Sequence, residues 1–163
     1  MKSFTDNTGR TWTLAVNVGT IKRVRALCDV NLANIITIDS GATPKVDLLE
    51  RLGNDPVLLV DVLYAAVKPE ADTKGISDQE FGQAMSGDAI EMATTALLDE
   101  VIDFFPETKR KVFRKILDAT RRFETKGKAA LQALLDDPAL DGKIDAALAQ
   151  LMTSSGNSQE SPE

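Results

Sequence analysis

A chain of 163 residues, 43% hydrophobic and 27% charged, is long enough to bury one real core and too short for several domains. It has no histidine and a single cysteine, Cys28, which removes the commonest general base, most transition-metal ligand sets and any intrachain disulfide. The net charge of −6 speaks for solubility and against general affinity for nucleic acid.

The opening Met1-Lys2-Ser3-Phe4-Thr5-Asp6 has no apolar signal region, and no later stretch approaches a bilayer span, so a cytoplasmic protein without membrane contact is expected. Asp6-Asn7-Thr8-Gly9 carries turn chemistry, and residues 10–16 (RTWTLAV) are rich in β-formers. Residues 1–16 therefore predict a β-hairpin with Trp12, Leu14 and Val16 on one face and Phe4 packed on Trp12. Trp12 either anchors the hairpin to the helices or offers an exposed ring to a partner.

Asn17 opens a helix to about residue 27, with Val18, Ile21, Val24 and Leu27 as its stripe and Cys28 as a small core residue. Residues 30–38 stay open between strand and helix, because Ile35-Ile36-Thr37-Ile38 suits a third strand as well as a helical extension. A loop follows over 40–44. Val46, Leu48, Leu49 and Leu52 predict a short helix stopped by Gly53.

Residues 55–69 are the centre of the pattern. Asp55 is a good N-cap, Pro56 suits the first helical position, and Pro69 is expected to close the helix. Between them only Asp61 interrupts an apolar run, so the helix should be covered on all sides. Asp61 would then pair with a base such as Arg51, cap another backbone end or face a narrow solvent slot. A polar loop is expected over 70–75. Ser77-Asp78-Gln79-Glu80 reads as a capping box for a short helix to Met85, and Ser86-Gly87-Asp88 recaps a longer one to Phe105. The next helix covers 107 to about 135, with Val112, Phe113, Ile116, Leu117, Thr120 and Phe123 inward and Gly127 as a candidate break. Asp136-Asp137-Pro138 starts a last amphipathic helix with Leu140, Ile144, Leu148, Leu151 and Met152, and residues 153–163 form a polar tail expected to be disordered.

No catalytic, cofactor-binding or metal-binding set emerges. Asp99 and Asp103, beside Glu100, have the spacing for a divalent ion but lie off the apolar stripe and read as a solvated face. Charge layout carries more. Residues 45–104 hold 4 bases against 13 acids, whereas residues 107–128 hold 9 bases against 3 acids. This basic ridge either complements the acidic helices of the same chain, docks an acidic helix of another protein, or, least favoured, contacts nucleic acid. Trp12, Phe105, Arg110, Arg114, Arg121 and Arg122 are the candidate partner-binding residues, although Phe104, Phe105 and Phe113 suit a core better than a contact. The fold expected is α+β, mainly α with a small N-terminal hairpin: one compact helical domain over 1–152, with residues 17–152 helical around a central buried helix.

The segments FTDNTGRTWTLAVNVGTIKRVRAL, LLERLGNDPVLLVDVLYAAVKPEA and GISDQEFGQAMSGDAIEMATTALLDEVIDFFP together resemble a phage tail assembly chaperone of siphophage-type tail modules and tail-derived elements, over residues 3–125. The resemblance implies a helical, non-enzymatic protein that acts in the bacterial host cytoplasm and is absent from the mature particle. It implies binding to a long helical tape measure protein, and recruitment of tail tube subunits around it. A generic helical adaptor and a nucleic-acid-binding regulator remain as alternatives, and self-association into a homo-oligomer is left open.

Overall fold

In the computed structural model, which describes residues 1–38 and 43–154, the chain is mainly helical with a small antiparallel hairpin at the N-terminus. Strands β1 (Lys2–Thr5) and β2 (Thr11–Leu14) pair with Phe4 opposite Trp12, as the alternation predicts. Asp6 builds the turn between them. Its carboxylate accepts from the backbone N–H of Thr8 (2.9 Å) and Arg10 (3.0 Å), the Thr8 hydroxyl (2.6 Å), Arg10 Nε (3.0 Å) and the Trp12 indole (2.9 Å). Burial works to raise this carboxyl, but the hydrogen bonds from Thr8, Trp12 and the Arg10 backbone outweigh it and hold the pKa at about 2.

Helix α1 (Val18–Cys28) begins at the expected cap, with Asn17 Oδ1 accepting from the Thr20 N–H at 3.0 Å. Its buried face differs from the predicted stripe. Val18 and Leu27 are exposed and Ile21 is half-buried, whereas Thr20 and Val24 are buried. Thr20 turns inward because its hydroxyl donates to the Ala15 carbonyl at 2.8 Å. Cys28 is half-buried rather than a core residue, and burial, with the charges of Asp61 and Asp78, pushes its thiol up to about 11. The helix ends on Asp29 in the left-handed region (φ 52°), the one non-glycine residue with positive φ among those described. Asp29→Gly removes the Cβ strain of that cap and is expected to raise stability by about 0.5–1 kcal/mol, read as a higher urea midpoint at unchanged slope.

Residues 30–38 realise parts of both alternatives. A 3₁₀ turn (Leu32–Asn34) leads through buried Ile35 and Ile36 to β3 (Thr37–Ile38). This strand pairs with β4 (Pro44–Lys45) and not with the hairpin. Of the expected loop, residues 40–42 lie outside the described residues. Helix α2 (Asp47–Asn54) buries Leu52 and runs through Gly53 before ending.

Helix α3 (Pro56–Lys74) is the central element. Asp55 caps it by accepting from the Leu58 N–H at 3.0 Å, with Pro56 in the first turn. It packs against β2, α1, α2, α4 (Asp78–Gln83) and α5 (Asp88–Asp103), and buries Leu59, Val62, Leu63, Ala65, Ala66, Val67 and Ala71. Two expectations are corrected. Cover is incomplete: Val57 is 70% exposed and Asp61 is exposed, on the side of the opening turns opposite buried Leu59 and Val62. Asp61 has no ion-pair partner among the described residues, and burial followed by the charges of Asp78 and Asp55 raises its carboxyl. The second correction concerns Pro69, which lies inside the helix and does not end it. A proline at 69 leaves the Ala65 carbonyl without its helical donor. Arg23 supplies the replacement, donating from Nε to Ala65 O at 2.6 Å and from Nη2 to Ala66 O at 2.8 Å. The helix then continues to Lys74 and closes on Gly75 at φ 67°, so the expected polar loop at 70–75 is mostly helical.

Both arms of the predicted capping box are present on α4, between Ser77 and Glu80. Phe81 from this helix meets the rings of Phe4, Trp12 and Tyr64 at centroid distances of 6.4, 5.1 and 5.5 Å. The stripe of α5 is buried through Ala93, Leu97, Leu98, Val101 and Ile102. The expected ends of α4 and α5 at Met85 and Phe105 fall back to Gln83 and Asp103.

Helix α6 (Glu107–Leu135) runs unbroken through Gly127. Where one domain over 1–152 is expected, the chain divides into a unit Met1–Ile116 and a second beginning at Leu117. The reason lies in burial: Phe113 is fully buried, but Val112 and Phe123, also expected inward, are 41% and 75% exposed, and every side chain of residues 122–136 is exposed. Helix α7 (Leu140–Ser154) follows. It takes in Thr153 and Ser154 from the expected tail. Residues 155–163 and the side chains of Leu151 and Met152 lie outside those described.

Candidate functional site

The six candidate residues do not converge on one site. Trp12 is fully buried, its indole N–H bonded to Asp6 and its ring under the Lys74 ammonium at 4.6 Å. It is an interior anchor, the first of the two roles its position allows, and not an exposed contact. Phe105 is also buried, edge-on to Phe113 at 5.0 Å and to Phe104 at 5.4 Å, with the Lys109 ammonium 4.6 Å from its ring centre. Neither ring can reach a partner without opening the core. Arg110 is half-buried and Arg114 exposed, both on the part of α6 in the first unit; Arg121 (half-buried) and Arg122 (exposed) belong to the second.

The basic ridge serves both of its readings in part. Arg114 Nη2 pairs with Asp103 Oδ1 at 2.5 Å, joining α6 to α5, and Lys111 pairs with Glu107 on its own helix at 2.6 Å. Lys115 and Arg122 are exposed. The acidic face of α5 is less solvated than expected. Asp103 is engaged by Arg114, and Glu100 is buried. Glu100 Oε2 lies 3.3 Å from the Met1 ammonium yet accepts no hydrogen bond, so the pair is held by charge without the directional contact. Among the described residues no group of three or more acids or thiols is placed to hold a metal ion, and no helix is long and apolar enough to cross a membrane.

The hairpin presents its two edges differently. Along β2, the Glu70 carboxylate accepts from the Thr13 N–H at 2.9 Å and Lys74 Nζ donates to the Thr11 carbonyl at 2.7 Å. Glu70 and Lys74 also pair with each other at 2.7 Å. Side chains of α3 thus occupy the backbone groups that a foreign strand would need. Along β1 a groove of about 950 Å³ opens toward α5, with half-exposed Met92 and the acids Asp88 and Asp99 on the helical side. Sequence reasoning missed the β2 clamp because Pro69 was read as a stop. The i,i+4 spacing of Glu70 and Lys74 was the available signal that helix continued beyond it.

Compared with family models, with curated proteins and with solved structures, the chain matches none.

Proposed function

We propose that this protein is a non-enzymatic assembly chaperone that binds a long helical tape-measure-type protein in the bacterial cytoplasm during phage-like tail assembly, with tail tube subunits as a second partner. The observation that supports this reading is the outward face of α6 within the first unit: five bases against one acid over residues 107–116, with Lys111 paired to Glu107 and Arg114 to Asp103, beside exposed Val112. A cationic face next to apolar surface is what an amphipathic helix with acidic flanks requires of its receptor. The chaperone's work is to cover apolar stripes of that helix until tube subunits replace it.

Co-expression with a long helical tape-measure-type protein tests the proposal. The partner is expected to become soluble and to be retained on the tagged chain. The double substitution Lys111→Glu with Lys115→Glu, on exposed positions away from the core, is expected to weaken retention about tenfold, the equivalent of roughly 1.4 kcal/mol. Absence of both retention and solubilisation by the unsubstituted chain would rule the proposal out.

A further inference from the structure

The second unit carries two largely exposed apolar stripes. On α6, Thr120, Phe123, Gly127, Ala130 and Leu134 recur at alternating three- and four-residue steps, the spacing of a coiled-coil seam, with Leu131 beside it. Phe123 is 75% exposed and Leu131 63%. On α7, Ile144 and Leu148 are 46% and 52% exposed. Isolated helices of this length are marginal in water, and apolar stripes of this kind normally gain their stability by being covered.

The two stripes are matched in charge. Residues 118–128 hold Arg121, Arg122, Lys126 and Lys128 against Asp118 and Glu124, whereas the start of α7 holds Asp141 and Asp145, with Lys143 paired to Asp137 just before the helix. They are also matched in length, about 28 Å for residues 117–135 and about 22 Å for α7. In a single copy α7 does not cover the α6 stripe, since both sets of side chains are exposed at once. We propose that a second copy of this chain is the occupant: α7 of each copy lies parallel to the α6 seam of the other, forming a four-helix dimer about a two-fold axis. Each interface then sets a basic α6 flank against an acidic α7 flank, and the two-fold produces that match twice. This assembly does not depend on the partner reading above, because the surface assigned there to the tape-measure-type helix lies nearer the start of α6.

Sedimentation equilibrium of the full chain tests it, with the near-ultraviolet signal of buried Trp12 reporting that the first unit is intact. A dimer is expected in the micromolar range. Leu134→Glu and Leu148→Glu should each give a monomer with an unchanged Trp12 signal. The pair Arg122→Asp/Lys126→Asp and the pair Asp141→Lys/Asp145→Lys should each weaken the dimer at least tenfold, and mixing the two variants should restore it as a heterodimer. A monomer throughout the micromolar range overturns the proposal and leaves the stripe to a helix of another protein. A dimer untouched by Leu134→Glu and Leu148→Glu overturns it in favour of a different surface. A dimer untouched by the Asp141→Lys/Asp145→Lys pair overturns the exchange, because α6 would then be pairing with α6.

Discussion

Asp6→Ala is expected to cost about 3–5 kcal/mol, the most damaging single change in the molecule and enough to leave a domain of this size largely unfolded. Asp6 is 4% exposed and its carboxylate receives five donors. Alanine strands the Trp12 indole N–H in the core and leaves the Thr8 and Arg10 amides without their acceptor. Asp6→Asn keeps the shape but turns an NH₂ toward donors and drops the charge that Arg10 faces. The same group sets an acid response. Its pKa is depressed in the fold, from an ordinary 3.8 to about 2, so its contribution is fully present above the unfolded value and is lost as pH falls through the folded one. That contribution is about 2–2.5 kcal/mol, withdrawn between about pH 4 and pH 2. Urea titrations across this window should show the wild type losing stability while Asp6→Asn, already weakened, changes much less. Equal slopes for the two would mean that the charge on Asp6 is not what holds the turn.

Arg23→Ala is the second large effect, expected at about 3 kcal/mol from two charge-assisted hydrogen bonds to buried backbone. The mechanism makes a sharper claim than the magnitude. Arg23 matters because Pro69 has taken a donor away from Ala65. In a Pro69→Ala background the amide of residue 69 can bond that carbonyl again, so the cost of Arg23→Ala should fall by about half in a double-mutant cycle read by chemical denaturation. If the two substitutions simply add, the guanidinium is acting through packing and the repair account is wrong. Loss of Arg23 should also loosen the helix beyond Pro69, and with it the Glu70 and Lys74 contacts along β2.

Most of the helical outline could be read from the chain because caps and turns are local. Asn17, Asp55 and Ser77 each announce a helix start within three residues, and each makes the expected hydrogen bond. The hairpin was legible for the same reason, through its turn residues and the alternation around Trp12. What escaped was set by distant residues. Pro69 fails to stop α3 because of an arginine 46 positions earlier, and no local rule contains that information. The stripe on α1 misled because three-residue spacing does not say which side of a helix meets the core; Thr20 and Arg23 decide it through partners elsewhere. On α6 the pattern was right as periodicity and silent about cover: the same seam is buried at Phe113 and open at Phe123. The candidate contacts divided along that line, with the rings going to the core and the arginines to the two parts of one helix.

The bonds that secure the hairpin have a consequence for the moment of synthesis. Thr13 waits for Glu70, Thr11 for Lys74 and Asn7 for Ser86, separations of 57, 63 and 79 residues. A two-stranded ribbon is marginal alone, so the hairpin is secured only after segments far downstream of it have been made. Until residue 74 has been translated, the edge of β2 stands open to whatever else is nascent in the cell.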